Sequence, residues 1–187
     1  MSSTSPAERL IIIGNSEPER NYTPLIRDND IVMRFNKVNY IETGLIGDRT
    51  DIIVLVGNWS LRHHGYRGRM PAACKDAIKK SQQVWFRTSR FGAKRQAEIL
   101  RLFKLTSHPV TYITREDEAE ILSDQKDQTP STGYLTLKKI WKQNLFPDME
   151  KYLCCLDSNY KKNLHHNIKK ERIIIRRWVR DGKFKLL

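Results

Sequence analysis

Apolar, mostly β-branched runs recur along this chain at Leu10–Ile13, Ile31–Phe35, Ile52–Val56, Val84–Phe86, Val110–Ile113, Tyr152–Leu156 and Phe184–Leu187. They are short and continuous rather than alternating, the pattern of strands buried on both faces of a parallel sheet. Between them, apolar residues return at helical spacing over Ala72–Lys80, Ala93–Lys104, Gly133–Asn144 and Ile168–Asp181. Strands alternating with helices predict an α/β protein with a mainly parallel sheet and helices on both faces. One Rossmann-like domain over 1–187 accounts for the length, with 1–9 read as a flexible tail.

The last helix is the best punctuated. Asn167 can cap its start, and Gly182 follows Asp181 where a C′ glycine belongs. Ile168, Ile175, Trp178 and Val179 share one face, with Arg172, Arg176 and Arg180 elsewhere, so the helix is amphipathic in the core-packing sense. Two stretches read as loops. Gly57–Pro71, rich in Gly, Arg and His, directly follows a strand and is expected to overhang the ligand face; Ser123–Pro130 is polar and ends at a proline.

Charge adds a constraint. The chain carries 34 Lys and Arg against 21 Asp and Glu, a formal net charge of +13. Ten of those cations lie within 161–187, with only Glu171 and Asp181 to offset them. Such a surplus attracts nucleic acid, anionic lipid or a phosphorylated small ligand, and equally serves as a solvated helix face. No zinc-finger, basic-zipper or ribonucleoprotein pattern accompanies it. Three cysteines, Cys74 and the adjacent Cys154 and Cys155, form neither a disulfide framework nor a zinc set. No apolar run reaches the length of a membrane span, and the first ten residues have no signal-peptide core, so a cytoplasmic setting is expected.

The candidate chemistry sits where strands end. Ile11–Ile13 runs into Gly14-Asn15-Ser16, and Val32–Phe35 runs into Asn36-Lys37. In an alternating α/β protein these turns lie at strand carboxyl ends, where ligands bind. An asparagine amide offers donors and an acceptor together, so it can hold a phosphate oxygen and a base or ribose edge. The G-x-G-x-x-G pattern is missing, which disfavours a nicotinamide dinucleotide. Taken alone, Gly14-Asn15-Ser16 is equally a plain turn.

Pro130-Ser131-Thr132-Gly133 opens a helix. Its small hydroxyl residues can cap the free amides or receive an anion there. His165 and His166 stand just before the last helix, whose positive end favours a neutral imidazole, the form a general base needs. Glu171 reads by itself as an acidic residue steadying the start of its own helix. His63 and His64 form a second pair on the overhanging loop, and neither pair has zinc-ligand spacing. Without an Asp-x-Asp after a strand, a P-loop or a nucleophile elbow, the chemistry that remains is a metal-free transfer with a histidine base.

In this order the motifs resemble those of sialyltransferases, the animal-type family and its bacterial relatives. Ile11–Ser16 is similar to the start of their large motif, and Val32–Lys37 and Gly47-Asp48-Arg49-Thr50-Asp51 to its middle and end. Pro130–Gly133 resembles the small motif, and His166 with Glu171 the very small one. The resemblance implies a variant A-type glycosyltransferase fold and inverting transfer of sialic acid, or another 2-keto acid sugar such as Kdo, from a CMP-sugar to a glycan hydroxyl. It implies no metal and no further cofactor. His166 would be the base and His165 a substitute acid. Gly14, Asn15, Ser16 and Asn36 would hold the nucleotide, Ser131, Thr132 and Gly133 would cradle ribose, phosphate or sugar carboxylate, and Tyr160 would meet the leaving phosphate. The partners implied are the CMP-sugar, a glycan acceptor and peripheral contact with an anionic membrane, with no nucleic acid among them. The alternatives are a non-catalytic basic module that binds nucleotide or RNA, and a degenerate transferase that only binds glycan.

Overall fold

Strand β1 (Arg9–Ile13) is buried at every position. It can be so only in the interior of a sheet covered on both faces. The computed structural model describes residues 9–56, 70–88, 93–122, 130–156 and 168–187, with the side chains of 93–95 excepted. Six further strands join β1: β2 (Ile31–Phe35), β3 (Ile52–Val56), β4 (Gln83–Arg87), β5 (Val110–Ile113), β6 (Glu150–Cys154) and β7 (Lys185–Leu186). They form one sheet in the order β5-β4-β3-β2-β1-β6-β7, with every neighbouring pair parallel. The predicted fold class is what the structure shows.

Among the described residues, five α-helices connect or cover these strands: α1 (Ala72–Lys79), α2 (Ala93–Leu102), α3 (Arg115–Ile121), α4 (Thr132–Lys142) and α5 (Ile168–Arg180). Period-two alternation along each strand divides the core. Leu10, Ile12, Met33 and Phe35 pack with Tyr134, Leu137 and Ile140 of α4, Ile121 of α3 and Trp178 of α5. Across the sheet, Ile53, Leu55, Val84 and Phe86 pack with Cys74, Ala77 and Ile78 of α1 and Ile99 of α2. Ile11 and Ile13 meet Tyr22, Ile46, Cys154 and Cys155 on that second face. Helices therefore cover both faces, as the uninterrupted apolar strands require.

Several boundaries differ from the sequence expectations for definite reasons. Arg9, counted with the tail, opens β1 because its guanidinium pairs bidentately with buried Asp30, at 2.8 and 2.5 Å. Strand β6 ends two residues early because Cys155 turns into the left-handed region (φ 54°), where its carbonyl accepts from Ser16. Helix α3, absent from the periodicity reading, begins with a reciprocal capping box: Thr114 accepts from the Asp117 amide and Asp117 accepts from the Thr114 amide. Gly182 stands at φ 72°, and the 182→179 and 183→178 amide bonds complete a Schellman end on α5.

From β1 the chain steps outward through β2, β3 and β4 to β5, then returns to lay β6 and β7 on the other side of β1. The strand order reverses beside β1. In open α/β sheets the crevice outside strand carboxyl ends at such a point is the usual ligand site. Gly14–Ser16, Asn36 and the end of β6 all stand there. Among the described residues, no helix is long and apolar enough to cross a membrane.

Candidate active site

Gly14 is required by packing. A methyl group at this position would stand 2.0 Å from the Cys155 carbonyl oxygen and 2.9 Å from Leu156 Cδ2. The Gly14 amide donates to Cys154 O at 2.9 Å and the Ser16 amide to Cys155 O at 3.0 Å. The turn after β1 is thus stitched to the end of β6 by backbone alone.

On the opposite side, β1 is joined to β2 through a side chain. Asn15 Nδ2 donates to Phe35 O at 3.0 Å, and Asn15 Oδ1 accepts from the Asn39 amide at 3.1 Å. Asn36 follows directly, at φ 48°, a conformation that asparagine tolerates better than most side chains. Its Oδ1 accepts from the Val56 amide at 3.0 Å and its own amide donates to Val54 O at 2.8 Å. Both asparagines therefore tie neighbouring strand ends together, with the Asn36 Nδ2 group as its remaining side-chain donor. Lys37 comes next, half-buried, and burial pushes its ammonium below the ordinary lysine range.

The third turn belongs to α4. Ser131 is its N-cap and accepts from the Tyr134 amide at 3.2 Å. The same Ser131 donates twice to Glu171, from its amide at 2.8 Å and from Oγ at 2.5 Å. Glu171 is buried, and its carboxylate serves a helix 40 residues away in sequence, in addition to standing in the first turn of its own. Charge-assisted bonds of this kind are about twice as strong as neutral ones. The amides of Thr132 and Gly133 remain in the class that no intrahelical carbonyl serves, an arrangement suited to an anion. A methyl group at Gly133 would be 3.7 Å from Leu156 Cδ2, ordinary contact, so packing does not demand glycine there. Because that same Leu156 methyl faces Gly14, it links the α4 start to the β1 turn.

Arg87, at the end of β4, fixes the approach to this helix, and the sequence reading missed it. Its guanidinium donates to Pro130 O at 2.9 Å and grips the Glu118 carboxylate of α3 at 2.7 and 3.1 Å. A lone arginine closing a strand, far in sequence from both partners, carries no local signal.

Other residues of the resembling motifs are framework. Arg34 is buried, and desolvation lowers its guanidinium to about 10. It donates to the carbonyls of Ile46, Gly47 and Arg49, fixing the segment before β3. Asp51 Oδ2 accepts from the Val32 amide at 2.7 Å. His165, His166, Tyr160, His63, His64 and Asn167 lie outside the described residues, as do 57–69 and 123–129 of the two loops. Among the described residues, no group of three or more His, Cys, Asp or Glu side chains is placed to hold a metal ion.

No family model and no curated protein matches this chain by sequence. Solved structures do match by shape. The monofunctional alpha-2,3-sialyltransferase Cst-I from Campylobacter jejuni superposes with a TM-score of 0.56 at 13% identity, over 97% of this chain and 76% of that one. The apo form of alpha-2,3-sialyltransferase from Campylobacter jejuni gives 0.55 at 15%, over 97% and 75%. The sialyltransferase CstII from Campylobacter jejuni, in complex with the substrate analogue CMP-3FNeuAc, gives 0.52 at 13%, over 96% and 79%. At these identities the likeness establishes a shared fold.

Proposed function

We propose that this chain is a CMP-sugar-dependent glycosyltransferase that moves sialic acid, or a related 2-keto acid sugar such as Kdo, to a glycan hydroxyl. The observation that carries the reading is the clustering of three turns at one edge of the sheet. Gly14–Ser16 is tied to the end of β2, where Asn36 follows, through Asn15 and Phe35, and to Ser131–Gly133 through Leu156, in a fold shared with enzymes solved bound to CMP and a CMP-sugar analogue.

In this reading Asn36 Nδ2 and the turn around Asn15 meet the cytidine nucleotide, and the Thr132 and Gly133 amides meet its phosphate or the sugar carboxylate. Lys37 and the positive end of α4 offset the charge that develops on the departing phosphate, so transfer needs no metal. His166 takes the proton from the acceptor hydroxyl as its oxygen attacks the anomeric carbon. CMP leaves from the opposite face, which inverts the configuration. Tyr160 meets the leaving phosphate and His165 stands as a substitute acid.

Calorimetric titration with CMP, using UMP and AMP as controls and no added metal, tests the site. Selective CMP binding is expected. Equal, steeply salt-sensitive binding of all three nucleotides would instead favour a non-catalytic basic surface, since contacts to phosphate alone weaken with salt. The base is tested separately. His166→Ala should lower turnover by about 100- to 10,000-fold while leaving CMP affinity near that of the parent. Unchanged turnover would remove His166 from the mechanism.

A further inference from the structure

Helix α5 has two unlike sides. The inner side carries Glu171 and Trp178, both buried, and the Glu171 carboxylate accepts twice from Ser131. The outer side is basic: Lys169, Lys170, Arg176, Arg177 and Arg180 are exposed and Arg172 is half-buried. The helix's only acid, Glu171, is on the other side.

The stability of the helix does not account for this face. Arg172 and Arg176, and Arg176 and Arg180, are four residues apart; Lys169 and Arg172, and Arg177 and Arg180, are three apart. At these spacings like charges repel. Lys169 and Lys170 also stand in the first turn, where the helix dipole disfavours a cation. Only Arg177 and Arg180, in the last turn, suit the dipole. Acids near this face are Asp181, 3.6 Å from Arg180, and Glu17 and Glu19, which line a cavity together with Arg172 and Arg176.

Apolar side chains stand among the cations. Ile173, 62% exposed, lies one turn from Lys169, Arg176 and Arg177. Leu186 of β7, 69% exposed, lines the same cavity as Arg172 and Arg176. Among the described residues these are the two most exposed large apolar side chains.

We propose that the outer side of α5 and the adjoining end of β7 form a docking surface for an anionic lipid bilayer. The cations meet the headgroups, and Ile173 and Leu186 enter the boundary between headgroups and acyl chains. Single-stranded nucleic acid suits the surface less, because such grooves interleave cations with aromatic stacking platforms. The one aromatic residue of α5, Trp178, faces the core. Docking leaves the Ser131–Glu171 link on the side of α5 away from the lipid, so the α4 start stands about one helix diameter, ~10 Å, from the bilayer. The surface does not depend on the transfer reading, and its test uses no nucleotide.

The test is co-sedimentation with phosphatidylcholine vesicles that contain or lack phosphatidylglycerol. Binding is expected only with phosphatidylglycerol and should weaken as salt rises. Each cation near such a surface adds about fivefold, so Lys169→Gln with Arg177→Gln should weaken binding about 25-fold. Lys79→Gln with Lys80→Gln removes the same net charge from the α1 side of the sheet and should leave binding near that of the parent. Ile173→Ser should weaken it severalfold while the phosphatidylglycerol dependence remains. Binding that ignores phosphatidylglycerol, no binding at all, equal losses from the two glutamine pairs, or no effect of Ile173→Ser would each overturn the assignment. So would oligouridylate RNA that displaces the protein from the vesicles and binds Ile173→Ser as well as the parent.

Discussion

Helices α3 and α4 both begin beside Arg87, but they begin in different ways. The start of α3 is self-sufficient: Thr114 and Asp117, three residues apart, satisfy each other's amides. The start of α4 has only half of that device. Ser131 caps the Tyr134 amide as expected, yet its own amide and hydroxyl are satisfied by Glu171, from another helix. A local box holds one helix together, whereas a distant carboxylate holds two helices in register. The second arrangement costs more to break, and it stands where the nucleotide site is proposed. Arg87 joins the two starts, through Glu118 of α3 and Pro130 of the α4 approach.

The largest effect should therefore come from removing what the two starts share. Arg87→Met takes a guanidinium that is 3% exposed away from a carboxylate and a carbonyl, leaving both without it. Breaking a buried pair on one side costs about 3 kcal/mol. Urea midpoints should record that loss, and hydrogen exchange should rise at the first turns of α3 and α4 together. Faster exchange at α3 alone would show that Pro130 does not depend on Arg87.

Next comes the distant cap. Glu171→Ala leaves the Ser131 amide and hydroxyl without their acceptor, at a cost of about 2 kcal/mol. In a double-mutant cycle with Ser131→Ala, about 1 kcal/mol of coupling is expected. The same cycle on Thr114 and Asp117 should give less, because each of those side chains bonds the other residue's backbone amide, which the substitutions keep, whereas Ser131 Oγ donates directly to the Glu171 carboxylate. Equal coupling in the two cycles would erase the distinction. If the α4 start also receives the CMP phosphate, Glu171→Ala should weaken CMP binding while Thr114→Ala leaves it unchanged.

The same contrast marks how far the sequence could be read. Strands Ile31–Phe35 and Ile52–Val56 stand at the boundaries their apolar runs predict, since burial on both faces leaves no other pattern, and the partly exposed edge strand Val110–Ile113 matches its run as well. The turns at Gly14–Ser16 and Asn36 were legible for the same reason, since each directly follows such a run; the α4 start was legible instead as a serine cap after the proline that ends a polar loop. Helix α3 was not, because its seven residues, REDEAEI, are too few and too acidic to show a period. Its capping box was nonetheless present as Thr114-x-x-Asp117. The partnership of Ser131 with Glu171, and of Arg87 with Pro130 and Glu118, had no such trace. Those contacts span 40, 43 and 31 residues, and only the assembled sheet brings them together. Glu171 read locally as a helix-start residue is half its role; the other half is long-range.

Thr114→Ala should cost about 1 kcal/mol, the usual effect of losing an N-cap oxygen, with no change at α4. A loss much above that would mean α3 supports more than its own first turn.

The smallest effect, and the one that separates the two starts by chemistry, is acid. Burial alone would raise the Asp117 carboxyl. Hydrogen bonds from Lys139 Nζ at 2.6 Å, the Thr114 amide and Gln143 overcome that and hold it below the ordinary aspartate range. A carboxylate whose folded pKa lies below its unfolded value stabilises the fold in full above the unfolded pKa, about 3.9. That contribution is lost as pH falls through the folded value. Stability should consequently drop with the slope of this group only in the acid limb below about pH 5. Asp117→Asn, which cannot titrate, should differ most from the parent at neutral pH, and the gap should narrow as pH falls. A gap that stays constant into the acid limb would assign the Asp117 contribution to hydrogen-bond geometry and remove its charge from the α3 start.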